Sequence, residues 1–218
     1  MPDIFDEVEE DLRAERAARF WQRFGGLIIG AALLAVLGVG AWQGWGWYQQ
    51  RQVAAAAASY LAAERDAATP GADLKAAAER FAQLGRDAAG GYRALARLRA
   101  AALKAETGDR EAALALWDQI ARDSAVDPLY RDLATLLFVL HSLDAPGADP
   151  AALAARIAPL TGPDSPWRAS AQEVAALVAL KRGEREQARR MLQALAEDVT
   201  APQGVRGRAG RIAAGLGS

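Results

Sequence analysis

The sequence predicts an all-α protein: a single N-terminal transmembrane helix followed by an irregular array of helical hairpins. Three observations lead there. Residues 24–50 carry no acidic or basic side chain between Arg23 and Arg51. Beyond them, alanine-rich runs alternate with short breaks containing glycine or proline, and β-branched residues are sparse, a composition that favours helix. Finally, Gly108-Asp109-Arg110-Glu111-Ala112-Ala113 recurs as Gly183-Glu184-Arg185-Glu186-Gln187-Ala188.

The uncharged run decides the first element. Its centre reads Leu27-Ile28-Ile29-Gly30-Ala31-Ala32-Leu33-Leu34-Ala35-Val36-Leu37. Roughly 20 apolar helical residues cross a hydrocarbon core of about 30 Å, so the run suffices to span a bilayer. Aromatic residues flank it as anchors at the headgroup boundary: Trp21 before it, then Trp42, Trp45, Trp47 and Tyr48 after it. A cleaved signal peptide has a short basic head and an apolar stretch of only about 7–15 residues. Here the stretch is longer and the head, residues 1–23, is mostly acidic, so an uncleaved anchor is expected.

Arg13, Arg16, Arg19 and Arg23 precede the span, and only Arg51 and Arg65 follow closely. Basic residues mark the cytoplasmic side, and acidic ones count little. The expected organisation is a cytoplasmic head at 1–23, a transmembrane helix at 24–48 and a helical domain at 49–218 on the far side of the membrane. In the head, Ile4, Phe5, Val8 and Leu12 recur at spacings of three and four, a narrow apolar stripe. Within the span, Gly26 and Gly30, and again Gly40 and Gly44, are four apart, which places small residues on one face where another helix can approach.

Helix-forming sequence continues from Gln49 to Ala68, and Thr69-Pro70-Gly71 stops it. Further helices are expected over about 73–86, 92–106, 109–122, 128–142, 150–160, 166–182, 184–198 and 203–216. Asp127-Pro128, Asp149-Pro150 and Ser165-Pro166 share one start signal: an oxygen acceptor for the free first-turn amides, then a proline with no amide to lose. The connections are short, so consecutive helices pack antiparallel.

The recurring hexapeptide has a physical logic. Gly108 and Gly183 permit the tight turn, and Asp109 and Glu184 open the next helix at its positive end. Ala113 and Ala188 allow close helix contact, and Trp117 and Leu192, four places later, fill the gap between hairpins. Ala78 and Phe81 to Leu84 form a decayed first copy. The offset of 75 residues is two periods near 34 plus an insertion, as in a tetratricopeptide-type array.

Taken in order, the pieces resemble the YfgM-like family. They are Asp3-Ile4-Phe5, Trp21-Gln22-Arg23-Phe24-Gly25-Gly26, the span with its tryptophan-rich exit, Gly91-Tyr92, Leu95-Ala96-Arg97-Leu98, the Gly108-Asp109 hairpin and Asp132-Leu133-Ala134. The resemblance implies an ancillary subunit of the SecYEG translocon, anchored in the inner membrane, with a tetratricopeptide-like domain in the periplasm beside a PpiD-type foldase. It implies no catalytic residues.

The side-chain chemistry agrees with a binding role. The chain has no cysteine and one histidine, His141, so sulfur ligation and multi-histidine metal sites are excluded. No phosphate loop, serine elbow or HExxH pattern occurs. A net charge of −1 does not point to nucleic acid. Trp117, Tyr130 and Trp167 are read as core, and Arg206, Arg208 and Arg211 as a solvated basic face. The expected function is a non-enzymatic adaptor with no cofactor, no metal and no small-molecule substrate, whose partners are the lipid bilayer and other proteins. An accessory subunit of another inner-membrane complex, respiratory or division, is the alternative.

Overall fold

The computed structural model describes the backbone of residues 4–217 and the side chains of residues 21–217 apart from 28 and 32. Among the described residues every regular element is helical: α1 (Ile4–Ala67), α2 (Leu74–Asp87), α3 (Gly91–Glu106), α4 (Arg110–Arg122), α5 (Pro128–Ser142), α6 (Pro150–Ile157), α7 (Arg168–Lys181), α8 (Arg185–Glu197) and α9 (Gln203–Leu216), with a 3₁₀ turn at Ala158–Thr161. The all-α class expected from the sequence is the one observed. The chain divides into two compact units, with the boundary between Gln52 and Val53.

In the first unit, the helix from Trp21 holds a stretch long and apolar enough to cross a membrane. Its large apolar side chains are exposed, Leu34 at 71% and Val36 at 69%. The apolar stripe expected at Ile4, Phe5, Val8 and Leu12 falls outside the residues whose side chains are described.

The second unit is an array in which each helix pair packs on its neighbours. Ala63 of α1, Ala78 and Phe81 of α2 and Ala96, Ala100 and Leu103 of α3 form one cluster. The opposite face of α3, with Ala94, Leu98 and Ala101, packs with Ala113, Trp117 and Ile120 of α4 and Ala134 of α5. Leu136 and Val139 of α5 join Leu153 and Ile157 of α6 and Ala171, Val174 and Val178 of α7. Ala169 and Ala176 of α7 join Leu192 and Leu195 of α8 and Val205, Ala209 and Ala213 of α9. Thus α3, α5 and α7 are each buried on two faces, and in α3 and α7 that is why alanine is dense. A larger side chain would hold the neighbouring helix away.

One spacing repeats through all four hairpins. Asp73, Asp109, Asp149 and Glu184 are the N-caps of α2, α4, α6 and α8. Four, eight and eleven residues after each cap come Ala77, Phe81 and Leu84; Ala113, Trp117 and Ile120; Leu153, Ile157 and Leu160; and Ala188, Leu192 and Leu195. The middle member is buried in every copy, at 1% exposure or less. Sequence reading found the second and fourth copies and a trace of the first. The third was missed because leucine replaces alanine at its first position, and because Gly147 stands two residues ahead of the cap instead of one.

The turns match the sequence logic at Gly108 and Gly183, whose φ values are +87° and +81°. Each closes its helix with the same pair of bonds. Asp109 N–H donates to the Lys104 carbonyl at 2.8 Å and Gly108 N–H to Ala105 at 3.2 Å. Glu184 N–H donates to Ala179 at 2.9 Å and Gly183 N–H to Leu180 at 3.0 Å. The left-handed residue is glycine because a Cβ is strained there.

Asp109 and Glu184 both open their helices but differ in detail, and two local expectations, at Pro166 and at the end of α6, need correction. The Asp109 carboxylate accepts from Ala112 N–H at 3.3 Å, whereas Glu184 makes no side-chain cap bond and pairs with Arg182 at 2.9 Å. The extra methylene carries its carboxylate past the first-turn amides. Pro166 precedes α7 by two residues and does not occupy its first position, since Ser165 Oγ accepts from Trp167 N–H at 3.2 Å and the Trp167 indole donates to the Leu129 carbonyl at 3.0 Å. And α6 gives way to the 3₁₀ turn at Ala158, because Pro159 has no N–H with which to continue the α-helical ladder.

Trp117 is the largest wholly buried side chain, stacked on His141 with ring centroids 4.6 Å apart. Trp117→Ala is expected to cost about 3–5 kcal/mol. In a nearest-neighbour array the damage is local. Hydrogen exchange followed residue by residue should show lost protection in α3–α5, with α8 and α9 least affected; uniform loss along the array would contradict this picture.

Candidate functional site

An open groove of ≈ 650 Å³ lies between α6 and α8, with α7 as its floor. Helix periodicity explains the floor: Arg168, Gln172, Ala175, Ala179 and Arg182 recur at steps of three and four and so share one face. One wall is Ala154, Ile157 and Ala158, continued by Thr161; the other is Gln187, Met191, Ala194 and Leu195 of α8.

Charge is confined to the ends of the groove and is satisfied internally. At one end Arg168 contacts the Asp198 carboxylate at 2.9 Å and donates to Thr200 Oγ1 at 2.6 Å. At the other, Arg182 pairs with Glu184. Asp198 also accepts from the Thr200 hydroxyl at 2.6 Å and its N–H at 2.9 Å. These bonds, the Thr200 hydroxyl foremost and Arg168 after it, hold the Asp198 carboxyl down at about 2. Between the ends the lining is small, apolar or amide. Gln172 is oriented by donating to the Thr161 carbonyl at 3.2 Å. Such a surface suits an uncharged stretch of polypeptide: alanines allow close approach, Met191 adapts its shape, and Gln187 offers an amide.

The residues singled out from the sequence divide between two roles. Of the repeat-hairpin set, Ala113, Trp117, Ala188 and Leu192 are wholly buried, Gly108, Asp109 and Gly183 form turns, and only Glu184 reaches the groove. Gly26, Gly30, Gly40 and Gly44 have open space where a Cβ would stand. Trp21, Trp42, Trp45, Trp47 and Tyr48 are exposed, and the Arg51 guanidinium lies 4.2 Å from the Trp47 ring centre. Tyr130 and Trp167 are half-buried against two different clusters. The groove itself was missed. Its signal, small apolar residues recurring along one face each of α7 and α8, is concealed by alanine everywhere else in the domain.

His141 is half-buried, and burial, with the nearby Arg110 charge, lowers its pKa. No group of three or more His, Asp or Glu side chains among the described residues is placed to hold a metal ion. The charged groups of the groove pair with one another.

A family model described as a tetratricopeptide repeat-like domain matches residues 18–207. No curated protein and no solved structure matches the chain.

The Asp198 cluster generates a pH prediction. A carboxyl whose pKa is depressed on folding stabilises the fold above its unfolded value near 3.8, and that contribution is lost as pH falls toward about 2. Asp198→Asn should therefore lower stability at pH 6 and flatten its fall between pH 4 and pH 2, read by urea unfolding at stepped pH. Parallel curves for the two proteins would show that the cluster does not contribute.

Proposed function

The chain belongs to the tetratricopeptide repeat-like domain family, and from that premise we propose that it is a membrane-anchored, non-enzymatic adaptor. The fold is a protein-interaction fold, and the observation that carries the reading is the presence, in the same chain, of a helix apolar and long enough to cross a bilayer. The proposed topology is single-pass in a bacterial inner membrane, with residues 1–23 cytoplasmic, 24–48 in the bilayer and 49–218 periplasmic, as the arginine asymmetry supports.

At the finer level, the chain serves the SecYEG translocon as an ancillary subunit, working beside a PpiD-type foldase. The YfgM-like features of the sequence support this assignment. Gly26, Gly30, Gly40 and Gly44 contact a partner helix in the bilayer, the aromatic residues at either end fix the depth of the span, and the groove over α7 takes uncharged polypeptide. Tethering keeps the array at high local concentration over its partner, so contacts that are weak singly suffice.

Site-specific photocrosslinkers at Gly30 and Gly44 in the span and at Gln187 and Ala194 on the groove wall test both levels. Translocon or foldase adducts are expected, with peptide adducts of secreted chains from the groove positions. Adducts confined to a respiratory or division complex would leave the adaptor role standing and remove the translocon assignment.

A further inference from the structure

The terminal helix α9 is built to be weak. It carries Gly204, Gly207, Gly210 and Gly215 within 14 residues, and its cap residue, Pro202, makes no side-chain bond to the first turn. The glycines at 204, 207 and 210 serve no close approach. A Cβ at these positions would meet Arg208 at 3.8 Å, Arg211 at 3.5 Å and Ala196 at 3.7 Å, all ordinary contacts. Glycine in a helix interior is disfavoured against alanine at each such position, and here nothing in the packing demands it. α9 buries Val205, Ala209 and Ala213, with Ile212 and Leu216 half-buried beside them, and so lacks a wholly buried bulky residue such as the tryptophan and isoleucine of α4.

Beside that apolar seam, one polar contact ties α9 to α7. Glu173 of α7 is 7% exposed, and Arg208 grips it with two parallel bonds, Nε at 2.8 Å and Nη2 at 2.6 Å. Arg185 adds bonds to the Leu216 carbonyl at 3.3 and 3.1 Å. Beneath lies a ready surface of Ala169 and Ala176 from α7 and Leu192 and Leu195 from α8. Without α9 that surface would be an apolar trough with an unpaired carboxylate at its edge, and a carboxylate so placed demands a cation.

We propose that α9 is a displaceable strap and that the α7–α8 face under it is a second helix-docking surface. Its incoming partner is defined by what it replaces: a helix with small apolar residues at the spacing of Val205, Ala209 and Ala213, and an arginine at the position of Arg208 to meet Glu173. Leu195 belongs both to this surface and to the groove wall, so exchange at the strap loosens α8 along the groove. The proposal holds whichever membrane complex the chain serves.

The test uses the full-length chain in lipid nanodiscs and a labelled synthetic peptide of residues 199–217 as the incoming helix. Saturable binding is expected, weakened at least about 10-fold when the peptide carries Arg208→Gln. Gly204→Ala, Gly207→Ala and Gly210→Ala together in the receiving chain strengthen the resident strap, so peptide affinity should fall on the order of 10- to 100-fold. Hydrogen exchange of α9 in that variant should slow by a similar factor while α3–α5 are unchanged. No saturable binding, equal binding of the Arg208→Gln peptide, or wild-type α9 amides exchanging no faster than those of α7 would overturn the proposal.

Discussion

The array depends on burying helices on two sides at once. A lone helical hairpin of this size cannot remove enough apolar surface from water to offset the entropy of ordering it. Here α3, α5 and α7 solve the problem by serving two clusters each, and small residues make that possible: Ala94, Ala96, Ala100 and Ala101 let α3 approach neighbours on both faces. The bulky members, Phe81, Trp117, Ile157 and Leu192, sit on the second helix of each hairpin and plug the space left by the alanines. Stability is then a sum of adjacent contacts.

Polar interactions tie successive hairpins without entering the apolar clusters. Asp118 of α4 reaches Arg156 of α6 at 2.7 Å, and that guanidinium lies 3.8 Å from the Phe138 ring centre on α5. Lys181 of α7 holds Asp144 at 2.6 Å, and within one hairpin Arg97 of α3 holds Asp123 at the end of α4 at 2.6 Å. Most of these groups are part-exposed, so each contributes little to stability, and their use is to fix how one hairpin is placed on the next.

Much of this was legible in sequence because the signals were local. The long apolar helix, the Gly108 and Gly183 turns and the caps at Asp127 and Asp149 each depend on residues within a few positions of one another. What escaped depends on distant residues. The hairpin at Asp149 has its own leucine-based packing and a longer turn, so no short pattern ties it to its neighbours. The Glu173–Arg208 bond joins residues 35 apart, and a glutamate inside an apolar run gives no hint of which arginine it meets. Likewise the groove arises because α6 and α8 flank α7 without meeting, a matter of packing that alanine content alone does not reveal.

The paired charges at the groove ends act as stops on a ruler. Arg168 and Arg182 lie one full helix apart along α7, and at about 1.5 Å per residue the interval between them is roughly 21 Å. That length takes about six residues of extended chain at roughly 3.3 Å each, or about fourteen of helix. A ligand whose uncharged stretch is shorter fits between the stops, and one whose stretch is longer must cross a salt bridge to stay. On the proposed adaptor reading, the groove would measure how far a polypeptide runs without charge and would be indifferent to which side chains make up the run.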